Sequence, residues 1–186
     1  MRVKPTELDG VVEVLPDVFG DERGRFVETW RQERYAEHGI DAGFVQANTS
    51  RSVRGVLRGL HYQWPEPQGK LVWVSTGRVL DVAVDIRSDS PNFRRWFACE
   101  LDAERMNQLW VPEGFAHGFL TLSEQATFNY LCTRPYRQTY DRSIAWNDPD
   151  IGIEWPMSEP ELSGKDQRAT TLAGLAVDDL PKCASY

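Results

Sequence analysis

Arg58, His61 and Lys70 lie within about a dozen positions of one another, and the side chains around them are those of β-strands. They fall in Gly55-Val56-Leu57-Arg58-Gly59-Leu60-His61-Tyr62-Gln63 and Gln68-Gly69-Lys70-Leu71-Val72-Trp73-Val74. An imidazole exchanges protons near neutral pH, and a guanidinium and an ammonium attract anions. A lone histidine on an apolar strand is more often a satisfied core residue than a catalyst. An arginine and a lysine beside it resist that reading, because buried charges need partners. The cluster reads as an anion-binding, proton-transferring pocket.

Such a pocket needs elements that turn these side chains inward. Two β-like runs joined by Trp64-Pro65-Glu66-Pro67 are predicted to fold back on each other, carrying Lys70 towards the His61 strand. Arg58 and His61 are three apart, so strict alternation sets them on opposite faces. A bulge at Gly59 brings both to one side. Along residues 44–50 polar and apolar side chains alternate, so Gln46, Asn48 and Ser50 share a face, either the solvent side or a hydrogen-bonding face towards a ligand. Residues 71–74 and 79–86 read as a hairpin over Ser75-Thr76-Gly77-Arg78, and residues 115–122 and 126–133 as another over Ser123-Glu124-Gln125. In the latter, Phe128, Tyr130 and Cys132 share one face, and His117 shares one with Phe115 and Phe119. Residues 31–38 read as a short helix ended by Gly39, with His38 solvated at its C-terminal end. Around ten short strands and almost no helix predict an all-β, cupin-like jelly-roll barrel or sandwich. One domain over residues 1–186 is expected, with a loop-rich C-terminal segment, 157–186, packing on the barrel.

The bulk properties narrow the function. The chain has 186 residues, a net charge of −7 and a pI near 5.0. It lacks the broad positive field that nucleic-acid or membrane-surface binding requires. No apolar run approaches the roughly 20 residues of a membrane helix, and residues 1–7 have no signal-peptide core. Three separated cysteines, Cys99, Cys132 and Cys183, suggest free thiols in a reducing cytoplasm. There are three histidines and no HxH pair, which speaks against a metal-dependent cupin.

Laid out in order, the chain resembles the dTDP-4-dehydrorhamnose 3,5-epimerase family of cupin-fold sugar-nucleotide enzymes. The matching pieces begin with Phe19-x-Asp21-x-Arg23-Gly24-x-Phe26-x-Glu28, Gln46-x-Asn48-x-Ser50, the segment Gly55 to Gln63, and Gln68-Gly69-Lys70. They continue through Asp81-Val82-x-Val84-Asp85-Ile86-Arg87, Pro112-x-Gly114-Phe115-Ala116-His117-Gly118-Phe119, Tyr130, Trp146-x-Asp148-Pro149 and Leu162-Ser163-x-Lys165-Asp166. Each alone is weak; the ordered set, over about residues 11–167, is specific. The resemblance implies a homodimeric, metal-free and cofactor-free epimerase acting on a dTDP-linked 4-keto-6-deoxy sugar. It implies His61 as base, Asp166 as its polarising carboxylate, Lys70 beside the enolate and Tyr130 as opposing acid. Arg23, Phe26, Glu28, Gln46, Asn48, Arg58, His117, Asp141 and Lys165 are then expected to line the substrate site, with Phe19 and Tyr136 near the thymine. A partner subunit can contribute through the N-terminal segment. The family more often carries Glu at the position of Asp141.

The chemistry has a use for these residue types. Epimerisation beside a ketone removes a weakly acidic C–H proton and returns a proton to the other face of the enolate. A histidine suits the base, a carboxylate on its far nitrogen fixes the tautomer, and a preorganised cation at the enolate oxygen is worth ~3 kcal/mol. Tyr130 on the opposite side of the ring turns proton exchange into inversion, and a diphosphate gives Arg23 and Arg58 a role. Inversion at C3 only or C5 only, and a non-catalytic sugar-nucleotide-binding barrel, are the alternatives.

Overall fold

The computed structural model describes residues 1–183. Residues 184–186, the end of the loop-rich segment, lie outside the described residues. Among those described, thirteen strands form two large antiparallel sheets and one small hairpin. The first sheet has the order β1 (Arg2–Pro5), β2 (Val12–Leu15), β10 (Gln108–Val111), β7 (Lys70–Thr76), β12 (Gln125–Cys132), β5 (Gln46–Val53). The second has the order β13 (Asp141–Ser143), β6 (Leu57–Gln63), β11 (Phe115–Thr121), β8 (Arg78–Asp85), β9 (Trp96–Asp102). Strands β3 (Val18–Asp21) and β4 (Gly24–Val27) pair only with each other. This is the all-β, jelly-roll architecture of the cupins.

Period-two alternation divides each strand between layers. Val72, Val74, Leu109, Phe128, Val79, Ala83, Leu101 and Phe119 face inward and form the core between the sheets. The outer face of the second sheet, with Leu60, Tyr62, Val82, Val84 and Ala116, is covered by Ile151, Leu172 and Leu180. The C-terminal segment therefore packs on the sheet, tied down by Asp148, whose carboxylate accepts from the backbone N–H groups of Asp150 and Leu172. On the outer face of the first sheet, Val14, Leu71 and Trp110 meet Tyr35 of α1 (Gln32–Ala36) and Ile40. The helix ends before Gly39, and His38 is exposed.

Three predicted pairings are not made. β6 and β7 do not fold back within one sheet; the Pro-containing turn between them carries the chain from the second sheet to the first. The turns at Gly77 and at residues 123–124 are likewise corners, because β7 and β8, and β11 and β12, belong to opposite sheets. Alternation and turn residues are the same for a hairpin and for a corner. The distinction comes from partners other than the strand across the turn: β7 lies between the distant β10 and β12, and β8 between the distant β11 and its successor β9. Lys70 still approaches His61, across the sandwich rather than along a hairpin.

The bulge expected at Gly59 is present. His117 pairs with His61 and Phe119 with Arg58, so three steps along β6 match two along β11. The backbones cross closely there: a Cβ on Gly59, whose φ is +133°, would sit 2.6 Å from the Cα of Gly118. Only glycine fits at that crossing. The irregularity turns Arg58 to the same side as His61, where its Nε donates to Ser52 Oγ at 3.0 Å.

Candidate active site

Two adjoining cavities open between the sheets at the β5/β6 end, of about 340 and 210 Å³. His61, Lys70 and Tyr130 border both. They arrive from three strands: His61 from β6, Lys70 from the first position of β7, and Tyr130 from β12, where it pairs with Asn48 and Val72.

Behind His61 stands Asp166. Its Oδ1 lies 2.6 Å from His61 Nε2, and its Oδ2 accepts from Ser163 Oγ at 2.8 Å. Ser163 also caps α2 (Gly164–Gln167), receiving the Asp166 N–H at 3.2 Å. The cap explains why a four-residue helix forms here, and it aims a nearly fully buried carboxylate at the imidazole. Nε2 is thereby committed to Asp166, and Nδ1 is left for chemistry in the cavity. Burial works to raise the Asp166 pKa, but the hydrogen bond and charge of His61, with Ser163 and Lys165, outweigh it and hold the carboxyl below its ordinary value.

Burial dominates the other two groups. It pulls the Lys70 ammonium below the usual lysine value, against the opposing pull of Cys132, Asp141 and Asp81. It pushes the Tyr130 phenol up, aided by Cys132 and resisted by Arg58. The phenol thus keeps its proton into alkaline solution and the ammonium surrenders its own early. The alkaline fall in kcat/KM is therefore expected below the ordinary lysine pKa of ~10.4, and Lys70→Arg should move that limb upward. Lys70→Met should lower kcat by about 10²–10³-fold; a Lys70→Met enzyme with an unchanged alkaline limb would reject the assignment.

The larger cavity is also bordered by Gln46, Asn48, Tyr136, Asp141 and Lys165. Gln46 Oε1 accepts the Tyr136 N–H at 2.7 Å, and Gln46 Nε2 donates to Asn48 Oδ1 at 3.0 Å. At the rim Tyr136 Oη donates to Asp141 Oδ2 at 3.0 Å, and Lys165 Nζ donates to the same oxygen. Arg58 and His117 border the smaller cavity. The structure therefore gathers His61, Lys70, Tyr130, Asp166, Gln46, Asn48, Arg58, His117, Tyr136, Asp141 and Lys165 about one space.

Four expected site residues are elsewhere in the chain. Phe19, Arg23 and Phe26 border a separate depression on the β3/β4 hairpin, with Phe19 61% and Phe26 69% exposed and Arg23 paired with Asp21. Glu28 pairs with Arg34 at 3.1 Å.

Three residues without an expected role also face the site. Asp81, fully buried, holds His117 Nε2 through both carboxylate oxygens at 2.9 and 3.0 Å. Its signal was a carboxylate inside the apolar run 79–86. Gln63, on the same face as His61, pins the loop above the cavity by accepting the Arg137 N–H at 2.8 Å and donating to the Glu66 carbonyl at 2.6 Å. Cys132 pairs with Lys70 across the strands. Among the described residues no group of three or more His, Cys, Asp or Glu is arranged to hold a metal ion, and no helix is long and apolar enough to cross a membrane.

An imidazole with a carboxylate behind it, an amine and a phenol converge on the site, and known proteins share this scaffold. The family model described as dTDP-4-dehydrorhamnose 3,5-epimerase matches residues 5–174. A dTDP-4-dehydrorhamnose 3,5-epimerase of Salmonella typhimurium is 53% identical over 175 residues, covering 92% of this chain and 96% of that one. The crystal structure of a dTDP-6-deoxy-D-glucose-3,5-epimerase from Legionella pneumophila, in complex with dTDP-4-keto-L-rhamnose, superposes with a TM-score of 0.95 at 46% identity, covering 97% of each chain. A 3′-monoepimerase from Streptomyces bikiniensis, in complex with dTDP-quinovose, gives 0.90 at 38%, covering 96% of this chain and 92% of that one. With matches of this extent on top of the fold and cavity described above, the chain belongs to the dTDP-4-dehydrorhamnose 3,5-epimerase family.

Proposed function

We propose that the chain is an epimerase that inverts C3 and C5 of dTDP-4-dehydro-6-deoxyglucose, giving dTDP-4-dehydro-L-rhamnose. The observation that carries this is the convergence of His61, Lys70 and Tyr130 on one cavity with Asp166 behind the imidazole. His61 takes the proton from the carbon beside the C4 ketone, and the electron pair moves into the C4 oxygen, which becomes an enolate beside Lys70. Tyr130 then gives its proton to the same carbon from the opposite face. Proton exchange with solvent returns His61 to its neutral form and Tyr130 to its phenol, and repetition on the other side of C4 completes the second inversion. Arg58 and His117 supply cationic and donor groups for the diphosphate.

The partner is a dTDP-linked 4-keto-6-deoxy sugar, and the working unit is a homodimer. Phe19, Arg23, Phe26 and Glu28 complete the cavity of a second copy: the β3/β4 hairpin that carries three of them projects from both sheets with two exposed phenylalanines, and an exposed apolar pair of that kind calls for a covering surface.

Inversion at a single carbon is the second reading, favoured by the likeness to the Streptomyces bikiniensis 3′-monoepimerase. Deuterated water separates the two. Incubation with the 4-keto-6-deoxy substrate, followed by NMR, should place label at both C3 and C5. Label at one carbon only would reject double inversion.

A further inference from the structure

One atom serves both half-reactions and another does not. The enolate oxygen at C4 is common to both inversions, so Lys70 does the same work twice. The carbons to be protonated lie on either side of C4, so the Tyr130 phenol must reach two places. What bounds its swing is strand β12 itself, because residues two apart on a strand share a face.

Tyr130 stands between Phe128 and Cys132, and its two sides are unequal. Phe128 is 2% exposed and stacks on Phe119 with ring centroids 4.1 Å apart and planes 13° apart. Its own ring lies 6.0 Å from that of Tyr130. The stack holds the Phe128 ring against Phe119, so that flank is a wall of large rings. The other flank is Cys132, a compact side chain whose Sγ meets Asn48 Nδ2 at 3.8 Å. Phe128 borders the smaller cavity and Cys132 the larger, with Tyr130 at their junction.

From this asymmetry we infer that Cys132 is a positioning residue that sets the regiochemical scope of the enzyme. Its small thiol leaves the phenol free to lean into the larger cavity and protonate the second carbon, while the Phe128/Phe119 stack fixes the position that serves the first. The inference rests on the double-inversion reading above.

The test is the ratio of deuterium incorporation rates at C3 and C5, measured by NMR in the full-length protein. Cys132→Leu fills the compact flank and should change that ratio at least tenfold, with the loss concentrated at one carbon. Cys132→Ser, close in size, should keep the wild-type ratio. The ratio separates this role from a structural one: because Cys132 pairs with Lys70, a displaced ammonium or a poorly packed core slows both carbons alike. Equal loss at both carbons, or an unchanged ratio, would overturn the inference while leaving double inversion standing. Label at one carbon in the wild type would reject the double-inversion reading, and the inference with it. Should Cys132→Leu not fold, Cys132→Val carries the same criterion with a shift of at least threefold.

Discussion

Replacing His61 by alanine should abolish exchange of the substrate's α-protons at both carbons, while dTDP binding stays measurable. General-base catalysis contributes typically about 10²–10⁴-fold, and in the proposed mechanism His61 begins both inversions, so the loss applies to each. The geometry also says what remains. Removing the imidazole leaves Arg58, His117, Asn48 and Gln46 at the cavity wall, and the nucleotide contacts proposed for them do not require the ring. Proton exchange followed by NMR, beside titration of dTDP by calorimetry, reads the two quantities separately. Substantial residual exchange at either carbon would exclude His61 as the sole base. Equal loss of binding and exchange would mean that the ring holds the nucleotide rather than moves a proton.

How far the sequence alone reaches depends on the range of the interaction that decides each feature. Which residues share a face of β5 and β12 was legible because alternation is local: Gln46, Asn48 and Ser50 lie together, as do Phe128, Tyr130 and Cys132, while the sequence left open whether the β5 face meets solvent or the cavity that the structure shows it lining. The glycine that admits the β6 bulge was legible for the same reason, since only a residue without Cβ tolerates the crossing with Gly118. Sheet membership was not. Corner and hairpin share their turn residues, and β7 lies between β10 and β12, strands that follow it by dozens of residues. Asp166 illustrates the same limit at the site. Its sequence neighbourhood is that of an exposed loop carboxylate, and 105 positions separate it from His61. The family resemblance, not the local pattern, brought it forward. Phe19, Arg23, Phe26 and Glu28 mark the far end of this range, because the resemblance assigned them to the site and the single chain holds them apart from the cavity.

The second large effect is expected from Asp166→Asn. An ionised Asp166 can only accept from His61 Nε2, so the proton stays on that nitrogen and the lone pair on Nδ1 is left for the proposed proton abstraction. An amide in its place can turn its N–H₂ towards Nε2, driving the proton to Nδ1 and blocking the lone pair the reaction uses. A carboxylate-to-amide change behind a catalytic histidine costs on the order of 10⁴ in kcat through the wrong tautomer, and a loss of about 10³–10⁴ is expected here with little change in KM. The same substitution has a signature in folding. Asp166 is held below its ordinary pKa in the folded protein, so ionisation favours folding above the unfolded value of ~3.9. That contribution is lost as pH falls through the lower folded value. The wild-type urea midpoint should therefore drop more steeply than that of Asp166→Asn as pH falls from about 5 towards 3, and the two curves should converge at the acid end. ¹⁵N NMR of the His61 ring reads the tautomer directly. A variant that keeps its proton on Nε2 and yet loses activity would show that Asp166 acts through charge on the imidazolium and not through the placement of the proton.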